Sequence, residues 1–438
     1  MPDPSDPRRD LPAVHALLAQ VPDLPRGPAK TAARDLLDAA RKGAVPHDWE
    51  SALRARVAEG RALHLRRVLN ATGVVLHTNL GRAPLSTRAA VAVGAVTAGY
   101  TNLELDLETG ERGERLAGVA PRLCALFGSD AALAVNNCAA AVLLALSSLA
   151  AGREVIVSRG ELVEIGGSFR IPDVITACGA RLREVGTTNR TRVRDYAAAI
   201  SAETGVILRV HPSNFHVEGF TESAPREALV ALAHERGLLY VEDLGSGAMR
   251  EGTSDSTVQS VIDAGADLVC FSGDKLFGGP QAGIVVGRAD PVARMRRHPL
   301  YRALRLDRLV LAALEATILD HADGLELPVD TMLSHTAATL GPATRALADA
   351  LVAAGVNAAV VPTEGLAGGG SRPSDRLPGV GVRILGVHPD KLAARLRRGS
   401  PPVIARVESA GVVLDLRTVP EADHPALQAA VLGALAPG

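Results

Sequence analysis

From about residue 131 the chain alternates short apolar runs with helical stretches, and no other feature limits its fold so strongly. The runs are ALAV, REVIVS, RLREV, GVILRV, LLYVED, DLVCFS and AGIVVG, each four to six residues long. Stretches such as APREALVALAHERG separate them. A strand that lies parallel to the one before it needs a crossover, and a helix is the usual one. The alternation therefore predicts βαβ units and a mostly parallel sheet.

The flanks read differently. Residues 1–67 give LPAVHALLAQ, a proline-rich break VPDLPRGPAK, then helical runs through TAARDLLDAARKG and HDWESALRARVAEGRALHLRRVL, with no strand signal. After Pro299 a long helical region, ALRLDRLVLAALEATILDHA, leads to further helices, the glycine-rich loop GLAGGGSRPSD and paired strand signals at PVIARVES and GVVLDLR. The expected division is a helical domain over 1–67, a large domain over 68–305, and a linker helix with a small α+β domain over 306–438.

Several classes of function fall away. Cys124, Cys138, Cys178 and Cys270 form no Cys-x-x-Cys pair and no histidine stands at zinc-ligand spacing, so neither a disulfide framework nor a metal site is expected. The opening MPDPSDPRRD lacks the apolar run of a signal peptide and no later stretch stays apolar long enough to span a membrane, which suits a cytoplasmic protein. A net charge of -1 creates no overall field for nucleic acid, so any such contact must be local.

The chemistry concentrates at strand ends. Lys275, in CFSGDKLFGGPQAGIVVG, follows an apolar strand at the edge where ligands bind in open α/β sheets. Asp243 ends another strand in LLYVEDLGSGA, 32 residues upstream. Taken singly, these are a lysine in a surface turn and a helix-capping aspartate. Together they suit pyridoxal phosphate, which needs an amine for a Schiff base and a carboxylate for its pyridine nitrogen. In ALAVNNCAAAVLLALSSLA a strand runs into Asn136 and Asn137 and then a helix, so the phosphate would meet the helix start at Asn137 and Cys138, with the Ser272 hydroxyl nearby. His211 and His216, in VHPSNFHVEGF, read as turn or cofactor-contact residues rather than metal ligands. Neither Gly-x-x-x-x-Gly-Lys-Ser/Thr nor a Gly-x-Gly-x-x-Gly strand-to-helix turn is present, which removes the common nucleotide folds.

At this point the motifs resemble one family, the bacterial selenocysteine synthases, or L-seryl-tRNA(Sec) selenium transferases. The similar stretches are LNATGVVLHTNLGRAPL, GYTNLELDLETGERGER, AVNNCAAAVLLAL, SRGELVEIGGSFRIPDV, VGTTNRT, HPSNFHVEGF, VEDLGSGA and FSGDKLFGGPQAG, spread over residues 68 to about 300. The resemblance implies a fold-type-I (aspartate aminotransferase-like) enzyme dependent on pyridoxal 5'-phosphate. It implies conversion of seryl-tRNA(Sec) to selenocysteinyl-tRNA(Sec) by β-elimination to an aminoacrylyl-tRNA, then addition of selenium from selenophosphate. It also implies a decameric ring of paired subunits.

Site residues follow from the same resemblance. Arg82 in NLGRAPL and Arg302 and Arg305 in LYRALRLDR match the family's arginines, which would grip the donor anion, and Asp274 matches its acidic neighbour of the lysine. The N-terminal domain would grip tRNA. Over residues 1 to 60, however, nine Lys+Arg face nine Asp+Glu, which leaves a stripe of Arg54, Arg56, Arg61, Arg66 and Arg67 as the candidate contact. The rival enzyme is a pyridoxal-phosphate lyase acting on a small amino acid or amino-sugar phosphate, against which the helical extension speaks. A tRNA-binding scaffold with a dead site is opposed by the presence of both Lys275 and Asp243.

Overall fold

The computed structural model describes residues 11–166, 169–212, 215, 217–250, 255–369, 371 and 375–436, and the chain divides after Arg67 into two compact units. The first unit carries α1 (Val14–Gln20), α2 (Arg26–Arg41) and α3 (Trp49–Arg61) around Leu17, Ala33, Leu37, Leu53 and Val57. Two expectations shift. The supposed break VPDLPRGPAK supplies the first turn of α2, because Pro28 stands where a helix needs no N–H partner. The run expected through Leu69 ends at Arg61, and beyond it Leu63 and Leu65 are exposed with no core to hold a further turn. The proposed arginine stripe is also not one surface. Arg54 is bound to Asp23 at 2.7 Å and Glu50 at 3.0 Å, Arg56 to Glu59 at 2.7 Å, and Arg66 and Arg67 lie outside the helix.

The second unit runs β1 (Leu69–Ala71), α4 (Thr87–Thr97), α5 (Ala120–Phe127), β2 (Ala131–Val135), α6 (Cys138–Leu149), β3 (Glu154–Ser158), a short hairpin of β4 (Glu164–Ile165) and β5 (Phe169–Arg170), α7 (Ile171–Ala177), β6 (Arg181–Val185), α8 (Val193–Ala199), β7 (Thr204–Val210), α9 (Arg226–Glu235), β8 (Leu239–Gly245), α10 (Val258–Asp263), β9 (Leu268–Ser272) and β10 (Gly283–Gly287). Then come α11 (Ala289–Arg297), α12 (Pro299–Leu304), α13 (Arg308–Ala322), α14 (Pro328–Ser334), α15 (Ala337–Ala353), β11 (Ala358–Leu366), β12 (Arg376–Ile384), α16 (Pro389–Arg398), β13 (Val403–Glu408), β14 (Gly411–Asp415) and α17 (His424–Leu435).

Seven strands form the large sheet in the order β2-β10-β9-β8-β7-β3-β6, and only β10 runs against its neighbours. These are the seven apolar runs. Except in the edge strand β6, their middles are buried on both sides, as Ile156, Ile207, Val241, Cys270 and Ile284 show, because helices cover the sheet. Each such side chain contributes about 1.5–3 kcal/mol of burial.

The second sheet has the order β1-β13-β14-β12-β11. Its outer strand β1 pairs with β13, Leu69 opposite Val403, so the segment assigned to the large domain opens in the smaller sheet. Its two nine-residue strands, β11 and β12, stand where the sequence suggested only helix and loop.

Candidate active site

Strands β2, β8 and β9 run parallel, so their carboxyl ends meet at one edge, and β10 begins there in the opposite direction. Each strand hands over one part of a pocket. After β2 the chain enters α6 with Asn137 extended (φ −166°, ψ 170°) and its side-chain oxygen accepting the Ala140 N–H at 2.9 Å. Asn137 is thus the N-cap, and the other N–H groups of the first turn keep the positive end of the helix at the pocket. Glycine is required opposite: a Cβ on Gly283 would sit 2.0 Å from the Asn137 carbonyl oxygen.

Strand β8 delivers Asp243, whose Oδ1 lies 3.3 Å from the Cys138 thiol. Strand β9 ends at Ser272 and turns tightly, Gly273 N–H donating to the Ala282 carbonyl at 2.8 Å and Gly279 N–H to that of Gly273 at 2.7 Å. Lys275 sits in this turn, and Phe277 two residues on packs on Phe271, their ring centres 5.7 Å apart. The aromatic pair, worth about 0.5–1.5 kcal/mol beyond its burial, anchors the turn to the core.

A fourth part comes from near the start of the unit. Arg82 holds its backbone at φ 60°, a strained conformation for an arginine, and its guanidinium donates to Asp274 Oδ2 at 3.0 Å. The Ala83 N–H binds the Asp274 carbonyl at 3.1 Å, so main chain and side chain fix the same turn. The other oxygen of Asp274 is buried with no hydrogen-bond partner among the described residues.

Arg82, Asn137, Cys138, Asp243, Ser272, Asp274 and Lys275 therefore line one cavity of about 270 Å³. Lys275, Asp274 and Asp243 are all buried. Burial pushes the Lys275 amine down from its usual range, with Arg82 adding to the effect and the Cys138, Asp243 and Asp274 side chains opposing it. Burial likewise raises Asp243, against the Cys138 hydrogen bond and Lys275, which favour its charged form.

The structure does not bring every sequence candidate here. Arg302 is exposed on α12, and Arg305 pairs with Glu104 at 3.3 Å; neither lines the cavity. His216 lies outside the described residues. His211 gives its backbone N–H to the Asp243 carbonyl at 2.9 Å, while its ring meets Asp255 at 3.1 Å and faces a separate cavity. Gly166, Phe169, Gly245 and Gln281 also line the pocket and were not anticipated. Gln281 carried a signal, following directly on the Gly-Gly-Pro bend after Lys275. Phe169 carried none, since a two-residue strand leaves no periodicity. Among the described residues no helix is long and apolar enough to cross a membrane, and no group of three His, Cys, Asp or Glu could hold a metal ion.

A family model described as L-seryl-tRNA selenium transferase matches residues 68–420, which include every residue of this pocket. The chain belongs to that family. Within it, a relative from Geobacter sulfurreducens named L-seryl-tRNA(Sec) selenium transferase is 48% identical over 442 residues, 95% of each chain. One of the same name from Hyphomonas neptunium is 48% identical over 397 residues, 87% of this chain and 86% of its own. Among solved structures, a D-glucosaminate-6-phosphate ammonia-lyase superposes with a TM-score of 0.60 over 84% of this chain and 96% of its own. At 21% identity that likeness speaks for the shared fold alone.

Proposed function

We propose that the chain converts L-seryl-tRNA(Sec) to L-selenocysteinyl-tRNA(Sec), with pyridoxal 5'-phosphate held on Lys275 and selenophosphate as the selenium donor. The observation that carries this reading is the meeting of Lys275, Asp243 and the amino end of α6 in one buried pocket, within a chain 48% identical to enzymes of that name. The residues suit the cofactor: a buried amine, a buried carboxylate and a helix start offer one contact each for its aldehyde, pyridine nitrogen and phosphate. Bound there, pyridoxal phosphate supplies an electron sink that makes the seryl α-proton acidic and lets the β-hydroxyl leave.

The chain's own residues do the rest. Burial keeps a larger share of Lys275 neutral, the form that bonds to a carbonyl carbon. Asp243 holds the proton of the pyridine nitrogen. Ser272 adds a hydroxyl for the phosphate. Arg82 secures Asp274 and turns a cation toward the pocket, where it serves the donor anion and Asp274 a proton. Arg302 and Arg305 stand outside this cavity in the single chain and are proposed as donor contacts from the family's motif alone, as is the decameric ring of dimers.

The N-terminal unit is proposed to hold the tRNA, in the cytoplasm. Arg26, Lys30 and Arg34 support this: all three are exposed on α2, and no acid pairs with them among the described residues. A spacing of four residues puts the cations about 6 Å apart along one helix ridge, suited to successive phosphates. This ridge replaces the stripe on α3, where Arg54 is occupied by Asp23 and Glu50 and Arg56 by Glu59.

The test is conversion in vitro. Purified protein given seryl-tRNA(Sec) and selenophosphate should form selenocysteinyl-tRNA, and Lys275→Ala should not. Release of ammonia from an amino-sugar phosphate, with no product on tRNA, would instead favour the small-molecule lyase.

A further inference from the structure

The reaction described above makes no use of the Cys138 thiol. Cys138 is the first residue of α6, directly after the cap Asn137, and its Sγ lies 3.3 Å from Asp243 Oδ1. Around Asp243 stand Lys275 in the turn after β9, Cys270 opposite it on β9 itself, and His211 at the end of β7, whose ring is directed to Asp255. Cys138 joins Asp243 by a side-chain hydrogen bond. A buried carboxylate is costly to keep charged unless donors meet it, and each donor favours the ionised form. The thiol is suited to donate: burial, and then the facing carboxylate, hold its proton in place.

We propose that Cys138 is a positioning residue of the cofactor site, its S–H donating to one oxygen of Asp243 and holding that carboxylate ionised and oriented for the pyridine nitrogen of pyridoxal phosphate. This rests on the reading of Lys275 as the cofactor's anchor. The helix start thereby acts twice, offering backbone N–H groups to the phosphate and a side-chain donor to the carboxylate.

The experiment is a double-mutant cycle on the dissociation constant of pyridoxal phosphate, measured by equilibrium dialysis on the full chain. Cys138→Ala should weaken cofactor binding about two- to tenfold, the effect of one modest hydrogen bond. Cys138→Ser keeps a donor and should stay close to the parent. In an Asp243→Asn background, Cys138→Ala should change the constant less than about twofold, because no charge is left to support. If Cys138→Ser and Cys138→Ala weaken binding alike, or if Cys138→Ala costs as much in the Asp243→Asn background as in the parent, the thiol only fills space and the proposal is overturned. Borohydride reduction of each holoprotein keeps this separate from the reading it rests on: a mark on Lys275 leaves the anchor standing whatever the cycle gives.

Discussion

Glu242 and Asp243 are neighbours on β8, point to opposite faces of one sheet, and are 3% and 6% exposed. Their surroundings differ. Glu242 receives the Arg226 guanidinium through two contacts of 2.8 Å and the Tyr240 hydroxyl at 2.8 Å, and Arg226 goes on to Ser256. Asp243 receives a thiol at 3.3 Å and faces a buried amine across a cavity, and burial pushes it toward its neutral form. The contrast shows where this sheet can do chemistry. A buried carboxylate answered by a guanidinium fork braces the fold, whereas one answered by weaker donors beside a lysine is available to a cofactor.

Exchanging the two carboxylates for neutral groups sharpens the difference most. Asp243→Asn should lower turnover about 10²- to 10⁴-fold, the range for a group that manages a proton in the reaction, with little loss of thermal stability. Glu242→Ala should do the reverse. Removing it strands the part-buried Arg226, at a cost of about 3–5 kcal/mol in a denaturant titration, while the visible absorbance of bound cofactor persists. Equal stability losses for the two variants would break the comparison.

Another carboxylate, half-buried, lies on the Glu242 side. Glu161 accepts the Val210 N–H at 3.2 Å, its nearest guanidinium, Arg209, is 4.0 Å away, and burial raises its pKa to about 7. Tyr196, His211 and Glu242 share its surroundings. The folded value exceeds the unfolded one, so the folded chain binds the proton more tightly and stability falls as pH rises from about 4.5 through 7. The difference of 7 − 4.5 = 2.5 amounts to about 3 kcal/mol. Glu161→Gln should therefore flatten the stability profile, with a gain at pH 8 and almost none at pH 4; a parallel shift at both would contradict this.

The smallest effect concerns the donor. Arg82→Ala removes a charge-assisted contact and should raise the half-saturating selenophosphate concentration about ten- to a hundredfold, or about 1.5–3 kcal/mol. Loss of the seryl hydroxyl should suffer less. If both halves of the reaction fail together, Arg82 acts on the Asp274 turn instead.

Much of this was legible in the sequence, for identifiable reasons. Six strands of the large sheet announced themselves because they are buried along most of their length and largely apolar, and the edge strand β6, RLREV, showed itself by its place in the alternation. Lys275, Asp243, Asn137 and Ser272 stood at strand ends, where a parallel sheet gathers what its strands deliver. By contrast, β11 and β12 were hidden by Pro362, Gly365, Pro378 and Gly379, residues that punctuate a sequence yet are carried here on long antiparallel strands. The partner of β1 stands more than 300 residues away, beyond any local pattern. The pairing of Arg54 with Asp23, or of Arg305 with Glu104, is tertiary as well, and the first moved the proposed tRNA contact from α3 to α2.

Reduction with borohydride and peptide mapping tests the pocket most directly. The chain has four lysines, Lys30, Lys42, Lys275 and Lys391, and Lys275 alone lies in the cavity with Asp243. Protein purified with its cofactor should lose its visible absorbance on reduction and carry one pyridoxyl group on the peptide containing Lys275, and Lys275→Ala should carry none. A pyridoxyl group on Lys30, Lys42 or Lys391, or undiminished visible absorbance in Lys275→Ala, would contradict the assignment of this pocket.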